Sequence, residues 1–160
     1  MKFDPLNLYK LHLNTVRNVN LVNNRYQFKL PNYFPQNKKC FVFVEYACLQ
    51  VTTSAGTIAN DYFNISSNLI SQNSYNNNNE NMSGVLCSLG KTRNNGRAAA
   101  TEYIELDIQT NPINVGYLPN QLELFIIDPV ENAEITLPSS TELVITICCQ
   151  FVDHDNGCGC

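Results

Sequence analysis

The sequence predicts an all-β chain arranged as a sandwich or barrel. Three observations carry this. Apolar residues recur with a period of two through most of the apolar segments, the signature of half-buried strands. The segments between them concentrate Gly, Pro, Asn and Asp, which punctuate chains with turns. Helical periodicity is nearly absent: GRAAATEY (96–103) and SNLISQNSY (67–75) each allow one short turn. Strands with turn-rich separators and no intervening helices fit a sandwich or barrel and not a βαβ fold.

The elements follow in order. Residues 6–16 form a first, weaker strand pattern, and in RYQFKL (25–30) Tyr26, Phe28 and Leu30 point one way while Arg25, Gln27 and Lys29 point the other. After the turn-like LPNYFPQNKK (30–39), CFVFVEYACLQV (40–51) is apolar at both parities, as expected of a central strand covered on both faces. TSAGTIAN (53–60) separates it from a weaker strand at 61–66, where Tyr62 and Phe63 are candidate core residues. SYNNNNENMSG (74–84) is low in complexity and too short for a prion-like tract, so it reads as a solvated loop. A strand at 84–90 and the loop GKTRNNGRAAA (90–100) lead to EYIELDI (102–108), with Ile104, Leu106 and Ile108 on one face. Residues 113–116, the turn GYLPNQ (116–121) and QLELFIID (121–128) follow, the last with Leu122, Leu124 and Ile126 aligned. IDPVENAEITLPSST (127–141) is a long turn region, and TELVITICCQF (141–151) aligns Leu143, Ile145, Ile147, Cys149 and Phe151.

A chain of 160 residues reads as one domain, long enough to bury about 70% of its unfolded surface without covalent staples. Charged residues are only 15%, against about 25% in ordinary soluble domains. Asparagine, present 24 times, supplies the missing polarity, and neutral amides are cheaper than charges to bury between proteins. The net charge of −4 and the lack of a basic patch argue against nucleic-acid or anionic-membrane binding. No apolar run approaches the length of a membrane helix. The N-terminal MKFDPLNLYKLHLN lacks the apolar core of a signal peptide. A reducing cytosol is therefore expected, with Cys40, Cys48, Cys148 and Cys149 as free thiols inside apolar strands.

Little in the sequence supports catalysis. There are two histidines, His12 and His154, and a nucleophile needs an adjacent base. His12 alternates with Leu11 and Leu13, which fits a structural or surface position. No G-x-S-x-G, Walker, G-x-G-x-x-G or H-E-x-x-H motif occurs. Glu105 and Asp107 share a strand face about 7 Å apart, but alternation places them in a polar, solvated row. Glu131 and Glu134 flank a turn. The densest cluster is the tail FVDHDNGCGC (151–160). There His154, Asp153, Asp155, Cys158 and Cys160 are candidate metal ligands. Cys158-Gly-Cys160 is shorter than the C-x₂₋₄-C of a zinc knuckle and has no second such pair. A frayed chain end is the first reading, with a disulfide or inter-subunit thiol contact and a metal site as alternatives. No catalytic residue and no cofactor is expected.

The run from Arg25 to Asp155 resembles the small capsid jelly-roll proteins of nucleocytoplasmic large DNA viruses, of the minor-capsid or penton type. The residues that carry the resemblance are RYQFKLPNYF, CFVFVEYACLQV, NDYFNISSNLISQNSYNNNN, SGVLCSLGKT and NPINVGYLPNQLELFIIDPVENAEITLPSSTELVITICCQF, in that order. The resemblance implies a single eight-stranded jelly roll, two packed antiparallel sheets, with strands near 25–30, 40–52, 61–66, 84–91, 102–109, 113–116, 121–128 and 141–152. The chain then divides into a jelly-roll domain (25–153) and two parts that the resemblance does not explain, an N-terminal extra strand or arm (1–24) and a flexible Cys-containing tail (154–160). The resemblance also implies the partners: the major capsid protein and further copies of this chain, possibly as a pentamer, in a virion assembled in the host cytoplasm. Two other readings compete with a structural virion protein. One is a β-sandwich binding module for carbohydrate or peptide, which the absence of Trp disfavours. The other is an enzyme on a cupin-like barrel, which the shortage of histidines disfavours.

Overall fold

The computed structural model describes residues 8–15, 20–22, 25–35, 38–52, 62–70, 74–75, 81–82, 84–94, 100–105, 112–131, 133–135 and 141–152. The strands are β1 (Leu8–Asn14), β2 (Asn20–Val22), β3 (Arg25–Lys29), β4 (Lys39–Thr52), β5 (Tyr62–Ser67), β6 (Ser74–Tyr75) and β7 (Asn81–Met82). They continue with β8 (Val85–Asn94), β9 (Ala100–Glu105), β10 (Ile113–Gly116), β11 (Gln121–Asp128), β12 (Ala133–Glu134) and β13 (Thr141–Val152). Nine of these have four or more residues, and no helix occurs among the described residues. The short helical turn allowed at 96–103 is absent from its described part, because Ala100 and Thr101 already pair with Thr52 and Val51 of β4.

The pairing places eight strands in two four-stranded layers. One layer is β1-β13-β4-β10 and the other is β3-β11-β5-β8, every pair antiparallel. Numbered along the chain, these layers are strands 1-8-3-6 and 2-7-4-5, the interleaving of a jelly roll. The ninth long strand, β9, lies outside both fours. It pairs β4 on one side and β8 on the other, so one ladder runs from the first layer into the second. The N-terminal extra strand is present at Leu8–Asn14. It lies on its own chain, in register with Val144–Gln150 of β13, and it fills the first position of the eight, while the segment expected at 102–109 supplies the bridge.

β4 reads as apolar at both parities for a reason other than burial on two sides. Thr146 pairs with Tyr46 and Ile147 with Val44, leaving Glu45 unmatched in a β-bulge. A bulge inserts one residue and inverts the facing of everything after it. Cys40, Val42 and Val44 therefore face inward before the bulge, and Ala47 and Leu49 after it, each at most 1% exposed. On the outer side only Phe43 is buried, whereas Tyr46 is exposed.

The two layers meet in one apolar cluster. Leu143, Ile145, Ile147 and Cys149 face Phe28, Phe63, Ile65, Leu122, Leu124 and Ile126. Burying one such side chain fully stabilises the fold by about 1.5–3 kcal/mol. At one end Tyr9, Phe34 and Phe151 close the core, with ring centroids 5.3 to 6.0 Å apart, in the tilted and edge-on arrangements that aromatic quadrupoles favour. β5 stops at a backbone crossing: its last residue, Ser67, donates its N–H to the Gly84 carbonyl at 3.0 Å. A Cβ on Gly84 would lie 2.3 Å from the Ile70 carbonyl oxygen and 2.6 Å from that of Ser67.

Two outcomes follow for folding. Of the candidate core pair, Phe63 is fully buried but Tyr62 is 49% exposed, on the outer face. Phe63→Ala should therefore cost about 3–5 kcal/mol in urea denaturation, and Tyr62→Ala about 0.5 kcal/mol or less. Gly84→Ala should cost about 1–3 kcal/mol because backbone must move. Gly90→Ala, with open space at its Cβ, should show no such loss.

Candidate functional site

The tail candidates His154, Asp155, Cys158 and Cys160, with Asp153, lie outside the described residues, as does Asp107. Glu105 ends β9. Glu131 is exposed at a turn where Asp128 Oδ1 accepts the N–H groups of Val130 at 2.8 Å and Glu131 at 3.3 Å. His12 is exposed on β1 and its Nδ1 lies 3.0 Å from Thr146 Oγ1 on β13, a cross-strand hydrogen bond. No group of three or more His, Cys, Asp or Glu side chains comes together among the described residues.

The cysteines within the strands are free thiols. Cys149 and Cys40 are both fully buried in the core. The hydrogen bond between them, followed by burial, pushes the Cys149 thiol far up. Cys148 faces the opposite side of β13, and burial first, then the Glu45 carboxylate, pushes it up from 9.0 to about 11. A thiolate is the reactive form, so both positions are inert at neutral pH.

Surface chemistry is concentrated in two polar networks. On the outer face of the second layer the Arg25 guanidinium stacks 4.4 Å above the Phe125 ring. It pairs with Glu134, and with Glu123 at 3.5 Å. Gln27 donates to the other oxygen of Glu123 at 3.1 Å. The planar guanidinium covers the ring while its edge reaches two carboxylates, which a lysine cannot do. On the first layer, Lys10 reaches over Cys148 to Glu45 at 2.6 Å. Asn14 donates to Glu142 at 3.1 Å, and Thr15 Oγ1 accepts the Leu143 N–H at 2.9 Å. These contacts fasten β1 to the sheet along its length.

Two surfaces remain available for a partner. The first is one end of the sandwich, where the β3–β4 and β10–β11 connections meet: Leu30 donates its N–H to the Asn120 carbonyl at 3.1 Å. The β5–β8 connection begins beside them. Asn68 there imitates a strand residue, donating to the Gln121 carbonyl at 3.0 Å and accepting the Glu123 N–H at 2.9 Å. This end displays Tyr33 and Tyr117, 72% and 56% exposed, large rigid side chains with a polar tip that suit interfaces. The asparagine tract at 76–79 belongs to the β5–β8 connection and lies outside the described residues. The second surface is a groove of about 460 Å³ between the outer edge of β1 and the β3 end, where Lys10, His12, Lys29 and Tyr33 surround Leu13 and Phe28. The alternation in LYKLHLN, basic residues out and leucines in, was the signal for it. Its pairing with Lys29 and Tyr33 was not, because those residues arrive from another layer.

Comparison with protein-family models found no match, and comparison with curated proteins found none either.

The raised thiols make stability fall on the alkaline side. Below pH 9.0 both folded and unfolded thiols hold their protons, and the favourable term is fully present. Between 9.0 and about 11 the unfolded chain loses the Cys148 proton while the folded chain keeps it. The slope should be about 1.4 kcal/mol per pH unit for that residue, with Cys149 adding in the same direction. Urea titrations from pH 8 to 10.5 check this, and Cys148→Ser should flatten the curve. The native protein should also leave Cys40, Cys148 and Cys149 unlabelled by a thiol reagent at pH 8.

Proposed function

We propose that this protein is a structural component of a virion, a minor-capsid or penton subunit that assembles with further copies of itself and with the major capsid protein in the host cytoplasm. The interleaving of strands 1-8-3-6 over 2-7-4-5 is the observation that carries this reading. It is the architecture that the sequence resemblance implies, reached independently through pairing. The sandwich end with Tyr33 and Tyr117 fits the role, since loops at one end of a jelly roll can be varied without touching the core. A closed ring of such subunits needs two different patches that match, and the sandwich end offers exposed aromatic area for one of them. No helix among the described residues is long and apolar enough to cross a membrane.

A carbohydrate-binding module is the second reading, favoured by the same two exposed tyrosines, on which a sugar ring could stack. A glycan array on the purified protein separates the two.

Light scattering of the purified protein over a rising concentration series should reveal a defined oligomer, alone or with the major shell protein of the source particle. Tyr33→Ala with Tyr117→Ala should lower the association constant by about tenfold or more, the scale of losing an aromatic anchor, and leave the unfolding midpoint unchanged. A strict monomer that meets no shell protein defeats the proposal.

A further inference from the structure

We draw no further inference here: the strongest candidate, the apolar strip on the outer face of the first layer where Tyr46 and Val152 are exposed beside the half-buried Phe41 and Val144, carries nothing, because nothing in the structure shows what covers it.

Discussion

The ladder between β4 and β13 organises the molecule. It joins the third and last long segments of the jelly roll through twelve register positions, from Thr141–Val51 to Val152–Lys39. β13 carries β1 on its free side, and β4 carries β9 and β10 end to end on its own. Because β9 also pairs β8, it hands the hydrogen bonding from the first layer to the second. Main-chain groups buried between layers must be paired, and this continuous path satisfies that demand where two separate sheets would leave additional edges. The Glu45 bulge lies inside this ladder. It allows a fourteen-residue strand to keep an apolar inner face as the sheet twists, and it directs Glu45 outward to meet Lys10.

The ladder also decides what is left open. With β13 committed to β4 on one side, β1 becomes the boundary of the first layer. A boundary strand offers unpaired main-chain groups, and proteins protect such edges with charge, lysine above all. Lys10, bonded to Glu45 on the outer face, fits that protective role. The sandwich end instead exposes rigid aromatic area in Tyr33 and Tyr117.

Much of this fold was legible in the chain. Alternation in 25–30, 121–128 and 141–151 placed Phe28, Leu124 and Ile145 on inner faces because side chains on a strand point alternately to opposite sides, and the structure agrees. The misreadings share a cause. CFVFVEYACLQV looks covered on both faces because period-two counting has no term for an inserted residue, and the bulge is a property of the pair with β13. Tyr62 seemed a partner of Phe63 in the core, but adjacent residues on a strand take opposite sides, and Tyr62 is the exposed one. Residues 6–16 fit either an extra strand or an arm, because nothing local says whether such a segment pairs with its own chain. The candidate site was legible only as halves: LYKLHLN showed an amphipathic edge, while the groove needs Lys29 and Tyr33 from the facing layer.

By itself, then, the sequence determined that this chain would be β-structured, where most strands would lie and which side chains would avoid water. Those properties follow from local turn chemistry and from a two-residue period, both readable over a few positions. Tertiary structure alone decided that β13 would lie between β1 and β4, that β9 would bridge the layers, and that basic and apolar residues some twenty positions apart would face each other across one groove. Strand pairing is non-local: its register depends on hydrogen bonds and packing with segments distant in the chain, and no window of the sequence holds both partners.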